Sequence, residues 1–463
     1  MHKPVRVVLH PSDGQVWLEK AFDPSLTVRQ WWSLLAEVGL AQPHWPVAWG
    51  GLGWGAEQVA EVSLHFAAVQ AIGGPTGLGT LMGGPVVLTF GSDEQKQRLL
   101  PRLANGTEGW CQLFSEPGAG SDLASLSTRA ERDGDEWIIS GQKVWTSGAV
   151  DSARGMLITR TDSDAPKHRG MTYFIIDMDQ PGIEIRPIKQ MNGRSHFSEV
   201  FFNNARVADS DRLGAVNDGW VVTTATLGFE RSGLSAPDGV PGLRPPAGEL
   251  AGYLDRTIEE LRSAVTGSSF SATRQVVDPP DETGGTASTL RIVAASTGAN
   301  RDLRTRQQLA GVEATERMAS YSAQRLAAAQ AVGAQPGPGA SLAKLAWTEG
   351  LAQARDAGTA VLGARGMLLG PDPETKPAVT STAGSPGVSA VSAVQEEATG
   401  ENALKPRSFG DGTIQHFALT IPSARIAGGS DEVQRNIIGE RVLGLPRDPH
   451  SDSQIPFRDL LRS

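Results

Sequence analysis

"LSTRAERDGDEWIISGQKVW", residues 126–145, is the stretch on which the reading of the whole chain turns. Two short runs that mix apolar and polar residues flank Asp133-Gly134, a dipeptide that favours the tight turn of a β-hairpin. Four more runs follow at short spacing: "GMLITRT", "MTYFIIDMD", "GIEIRPI" and "SEVFFNNARV". Each carries β-branched or aromatic residues between turn-forming ones, the pattern of a small all-β unit. Residues 110–218 are therefore expected to form a small β-barrel or sandwich.

On either side of this block the period changes from strand to helix. "SLTVRQWWSLLAEVGL" and "EQVAEVSLHFAAVQAIGG" place apolar residues three and four apart and run into glycine. "SDEQKQRLLPRLANG" opens with Ser92 and has Gln95 three places on, which predicts a capping box. Between them "PHWPVAWGGLGWG" reads as irregular loop. After the β block come "GWVVTTATLGFERSG" and "SLAKLAWTEGLAQARDAGTAVLG", the second with Leu342, Leu345, Ala346, Gly350, Ala354, Ala357 and Val361 along one face. Residues 234–300 offer one clear helix, "AGYLDRTIEELRSAV", amid Pro/Ser/Gly-rich sequence, and residues 371–408 read as an insertion of low complexity. Three domains follow: a helical one at 1–109, the β unit at 110–218 and a helical one at 219–463.

Composition narrows the function. The 463 residues carry a formal net charge of −9, which argues against a broad nucleic-acid or anionic-membrane surface. The one cysteine, Cys111, excludes a disulfide framework, a thiolate zinc cage or an iron–sulfur cluster. No apolar run approaches the roughly 18 residues that span a bilayer, and the N-terminal residues lack a signal-peptide core. A cytoplasmic protein is the expectation.

Three segments could carry chemistry. "WCQLFSEPGAGSDLASL" (110–126) has glycines that allow close backbone approach and hydroxyls at Ser115 and Ser121, a loop suited to a polar ring edge or a phosphate. "GQKVWTSGA" (141–149) sets the Trp145 indole beside Thr146 and Ser147, which suits stacking on a flat heterocycle. "IAGGSDEVQRNIIGERVLGLPR" (426–447) pairs glycines with the start of an amphipathic helix that Ser430 can cap. Taken singly, each also reads as an ordinary turn, a half-buried tryptophan or a helix cap.

Together, in this order and with "PHWPVAWGGLG" and "GSDEQKQRLLPRLANG" before them, these segments resemble the acyl-CoA dehydrogenase family of flavoproteins. The resemblance implies an α+β multidomain fold: an N-terminal helical domain, a central small β-barrel and a C-terminal four-helix domain enclosing FAD and an acyl-CoA thioester. By position it places Gln112, Phe114, Ser115, Gly120, Ser121, Trp145, Thr146, Ser147, Ser430 and Glu432 around the cofactor. Ser121, Ser195, Arg231, Gly428 and Gly429 are placed against the acyl-CoA. It also implies an electron acceptor such as an electron-transfer flavoprotein, a homo- or hetero-oligomer (dimer or tetramer), and a place in fatty acid or steroid degradation.

The reaction of that family needs a carboxylate to take a proton from the thioester's α-carbon. Many members carry it in the C-terminal loop, where this chain has Gly428. A minority place it on the helix after the barrel, before an arginine, and there this chain has Glu230 followed by Arg231. Glu230 is thus the expected base. An Arg-x-x-Phe-Gly stretch common in the family is missing, with Arg301, Arg304 and Arg306 nearest to it. That keeps open a half-site or non-catalytic subunit of a heteromeric dehydrogenase. A related acyl-CoA oxidase or an acyl-carrier-protein dehydrogenase is the third reading.

Overall fold

The computed structural model describes residues 11–235, 245–267, 286–331, 339–367, 413–447, 452 and 454–460. Helices come first, as α1 (Pro11–Ala21), α2 (Val28–Val38), α3 (Ala56–Ala68), α4 (Gly84–Phe90) and α5 (Asp93–Ala104). In α2 the three-and-four spacing buries Val28, Trp31, Trp32 and Leu35 completely, and both indoles donate to backbone carbonyls, of Ile72 and Gly73. A capping box between Thr27 and Gln30 starts this helix and Gly39, in the left-handed region, ends it. The expected box between Ser92 and Gln95 starts α5. The Gln95 amide also donates to the carbonyls of Ser210 and Arg212, each at 2.8 Å, which ties the helix to the β block. The tryptophan-rich loop holds one short helical turn, Val47–Trp49, and a single π-turn, Gly79–Gly83, leads into α4.

The β block is one sheet of eight strands: β1 (Trp110–Leu113), β2 (Arg129–Asp133), β3 (Glu136–Ser147), β4 (Arg154–Arg160), β5 (Met171–Asp177), β6 (Ile183–Ile188), β7 (Phe197–Ala208) and β8 (Arg212–Leu213). The order is β6-β7-β3-β2-β4-β5-β8, with β1 parallel to β4. The β2–β3 hairpin forms where expected, with Gly134 at φ +64 in its turn. In the antiparallel β3–β7 pair the register slips between Ile139 and Ser140 and again between Lys143 and Thr146. The second slip shapes the site. β4 and β5 are buried almost throughout, and Leu157, Ile158, Tyr173 and Phe174 are fully enclosed.

Helices resume with α6 (Gly219–Ser235), α7 (Ile258–Gly267), α8 (Thr286–Thr297), α9 (Leu303–Ala331), α10 (Gly339–Leu362), α11 (Thr413–Ala424) and α12 (Asp431–Arg441). By contact the chain divides into two compact units. One comprises 1–259, 321–346 and 423–463, and the other 260–320 and 347–422. The second unit has its own core of small and branched residues: Ala287, Leu290, Ala294, Leu309, Val312, Ala354, Ala357 and Val361.

Three expectations need correction. The segment "AGYLDRT" is not α-helical; Thr27 pairs with Thr257 in a β-bridge and Arg29 salt-bridges Asp255, so tertiary partners override the local period until Ile258. The Pro/Ser/Gly-rich stretch before residue 300 contains a second helix, α8. The expected stripe on α10 holds for Ala354, Ala357 and Val361, but Leu342 is exposed, and Ser341, Lys344 and Thr348 are the buried positions in the first half. Residues 371–408 lie outside the described residues.

In α6, a Cβ added to Gly228 would meet nothing within 4 Å. Glycine inside a helix is worth roughly 0.5–1 kcal/mol less than alanine. Gly228→Ala is therefore expected to stabilise the protein by about that amount, read as a higher midpoint in urea unfolding.

Candidate active site

The site starts from β1, which delivers the chain into the glycine-containing loop after Leu113. Phe114 is buried, with its ring edge-on to Tyr173 at 5.9 Å, so what this residue offers outward is backbone. A buried ion pair braces the loop. Lys143 Nζ lies 2.8 Å from Glu116 Oε1 and donates also to the carbonyl of Phe114 at 2.9 Å, and its side chain is wholly enclosed. Glu116 accepts further from the Ser127 and Thr128 amides and the Ser127 hydroxyl. The Val144 amide donates to the Ser115 carbonyl at 2.9 Å, next to this pin. Burial works against ionisation of Glu116, but the Lys143 charge and these hydrogen bonds outweigh it and hold the carboxyl at about 2. Burial pulls the Lys143 ammonium down, with Glu116 opposing. Sequence reasoning missed this pair. Its one signal was Lys143 at an inward-facing position of a strand whose other buried residues are Trp137, Ile139 and Thr146.

The far end of the loop is tied as well. Lys167 Nζ bridges Asp122, at 2.9 Å, and Asp452, at 2.8 Å, so the C-terminal segment reaches the loop through one ammonium. Phe457 lies beneath the Arg160 guanidinium, 4.0 Å from carbon to ring centre, while Arg160 donates to the carbonyls of Ala124 and Lys167. Gly120 and Ser121, between these anchors, are exposed, and a Cβ on Gly118 or Gly120 would meet nothing within 4 Å.

On β3 the register slip after Lys143 twists Trp145 into the left-handed region at φ +59, a conformation that costs a bulky residue of order 1 kcal/mol or more. Its indole is 58 % exposed, edge-on to Phe197. Ser147 is half-buried beside it, whereas Thr146 is fully buried and its hydroxyl lacks a hydrogen-bond partner among the described residues. The Thr146 side chain thus faces away from the surface that Trp145 and Ser147 share. Opposite Thr146 in the ladder, the buried Ser198 hydroxyl is unpartnered too, among the described residues. An exposed indole held in a strained backbone, beside fixed carbonyls and an open glycine loop, fits a flat heterocycle with a phosphorylated tail.

Glu230 reaches this region from α6. The face of that helix bearing Val222 and Thr226 packs on the sheet, and the Thr226 hydroxyl meets the Tyr173 hydroxyl at 3.4 Å. Burial pushes the Tyr173 phenol well above its ordinary range. One turn further on, Glu230 Oε2 accepts from Gln112 Nε2 at 3.5 Å. The structure thus joins two residues 118 apart, the expected base and a residue expected near the cofactor. Arg231 continues the helix, and its side chain lies outside the described part.

In the C-terminal loop Gly428 and Gly429 adopt φ of +66 and +94, and both carbonyls accept from Gln434 Nε2. Ser430 caps α12 through the Val433 amide. Glu432 is exposed, with Arg435 at 3.7 Å, and the buried Asp431 pairs with Arg425 and Lys344. Ser195 is exposed in the turn before β7. Arg301, Arg304 and Arg306 are exposed on the second unit. Among the described residues no cluster of metal-binding side chains occurs, and no helix is long and apolar enough to cross a membrane.

The chain matches three parts of one family: acyl-CoA dehydrogenase N-terminal domain at residues 5–107, middle domain at 111–205 and C-terminal domain at 299–443. It is 34% identical over 420 residues to the acyl-CoA dehydrogenase IpdE1 of Mycobacterium tuberculosis, covering 91% of this chain and 88% of that one. The chain belongs to the acyl-CoA dehydrogenase family, with its arrangement of helical, sheet and helical domains. Another relative, acyl-CoA dehydrogenase FadE34 of the same organism, is 47% identical over 201 residues, which is 43% of this chain but 28% of FadE34. Among solved structures, the Tcur3481-Tcur3483 steroid acyl-CoA dehydrogenase superposes with a TM-score of 0.63 at 23% identity, covering 95% of this chain and 97% of that one. The ChsE4-ChsE5 complex from Mycobacterium tuberculosis gives 0.60 at 24%, covering 96% and 100%. At these identities the likeness speaks for the fold.

Proposed function

We propose that this protein removes two hydrogens from the α and β carbons of an acyl-CoA thioester with FAD as oxidant, Glu230 taking the α-proton. The observation that carries the reading is the Glu230 carboxylate lying against Gln112 on β1, three residues before Ser115 and the glycine loop. FAD, when bound, supplies the acceptor for the hydride leaving the β-carbon. Trp145 and Ser147 would hold its ring, with the backbone of Phe114 and Ser115 at the ring edge and Ser121 toward the phosphates. The backbone at Gly428 and Gly429 would face the thioester, where an N–H directed at the carbonyl oxygen stabilises the developing enolate. An electron-transfer flavoprotein is the proposed acceptor for the electrons.

The test is anaerobic mixing of the purified, flavin-loaded protein with straight-chain, branched and steroid-derived acyl-CoAs. Bleaching of the flavin absorbance by at least one class is the expected result. Failure of the protein to take up FAD, or no bleaching by any of them, would overturn the reading. A second reading, as one subunit of a heteromeric dehydrogenase, draws on the paired names of the two structural neighbours. It predicts that FAD binds only after a different chain is added.

A further inference from the structure

Gln112 Nε2 donates to Glu230 Oε2, a contact between β1 and α6. We infer that Gln112 is a positioning residue for Glu230, holding the carboxylate by an amide donor so that it stays ionised and aimed from α6 toward β1. The inference rests on Glu230 being the base. Gln112 is half-buried at the third position of β1, where the ladder fixes its backbone opposite Met156 of β4. Its one side-chain hydrogen bond among the described residues is the donation to Glu230 Oε2. At 3.5 Å the bond is long, yet an amide dipole directed at a carboxylate in a half-buried place still favours the charged form.

Among the described residues, the titratable groups on the elements packed against α6 have partners or surroundings of their own. On β5, packed against α6, Tyr173 meets Thr226 and Asp177 is exposed. On β4, Arg154 is committed to Glu108 and Arg160 to backbone carbonyls. His168 lies edge-on to Trp220 at the start of α6, and the π-turn and α4 carry no ionisable side chain. Cys111 on β1 is fully buried, and its thiol is pushed up to about 12. On α6 itself, Arg231 follows Glu230 directly.

The experiment compares the wild type, Gln112→Met, Gln112→Glu and Glu230→Gln. The first readout is the pH dependence of flavin bleaching by acyl-CoA. The second is infrared titration of the protonated carboxyl band that Glu230→Gln deletes, recorded without substrate. Methionine keeps the volume and removes the donor, so the acid limb and the infrared midpoint should both move to higher pH by about half a unit to one unit. Gln112→Glu sets a second carboxylate beside the first and should move them further. An unchanged acid limb in both variants, with Glu230→Gln inactive, would overturn the role of Gln112 alone. Undiminished bleaching by Glu230→Gln would overturn the assignment of the base itself. Loss of rate without the ordered shift would mark Gln112 as structural only and equally overturn the inference.

Discussion

Glu230→Gln is expected to fold, to bind FAD, and to lose bleaching by acyl-CoA by about 10²–10⁴-fold, the usual worth of a positioned general base. The change keeps size and shape, so packing of α6 on the sheet through Val222 and Thr226 is untouched. What disappears is the ability to accept a proton. A thioester α-carbon is a far weaker acid than a carboxylic acid, whose own reference value is near about 4, so a neutral amide has no route to the enolate. The measurement is stopped-flow absorbance under anaerobic conditions, with flavin content checked beforehand. Near-normal bleaching would remove Glu230 from the reaction and send the search for a base elsewhere.

The second large effect concerns Lys143 and Glu116, the enclosed pair behind the loop. Lys143→Met leaves Glu116 buried without its cation, and removing one partner of such a pair typically costs about 3–5 kcal/mol. That is a large share of the ~5–15 kcal/mol that holds a domain folded. Adding Glu116→Gln restores neutrality, and the double variant should recover most of the loss. The pH dependence carries a definite sign. Glu116 is held at about 2 in the folded state against 4.5 ordinarily, so its contribution is fully present above about 4.5 and is lost as pH falls toward 2. Wild-type stability therefore drops through that window. The gap between wild type and Lys143→Met narrows there, because acid protonates the stranded carboxylate. Urea unfolding at about pH 7 and about pH 4 checks this, and an equal gap at both values would contradict it.

Features legible in the sequence were those set by neighbours in the chain. The Asp133-Gly134 hairpin, the Ser92–Gln95 box and the Ser430 cap each depend only on residues a few places apart, and each is present. The family segments marked the loop at 114–121 and the tryptophan at 145 because their spacing travels together. Hidden features depended on distant partners. The segment 251–257 carried a helical period, but it folds as turns whose far end Arg29 and Thr27 hold. Lys143 and Glu116 stand 27 residues apart, and only the passage of β1 beside β3 brings them together. Gln112 was legible as a site residue but not as the neighbour of Glu230, since that contact is made only when α6 folds back on the sheet.

The exposed indole of Trp145 gives the molecule a built-in optical gauge. The chain has 11 tryptophans, and Trp31, Trp32 and Trp45 are sealed from solvent, whereas Trp145 is 58 % exposed at the rim of the site. A soluble quencher such as acrylamide reaches a surface indole and not an enclosed one, so the part of the emission lost to collisional quenching comes mainly from this rim. A ligand that stacks on the ring would shield it from the quencher and, if it absorbs in the near ultraviolet or blue, drain its emission by energy transfer. Occupancy of the site could then be followed by fluorescence alone, with no label and no turnover.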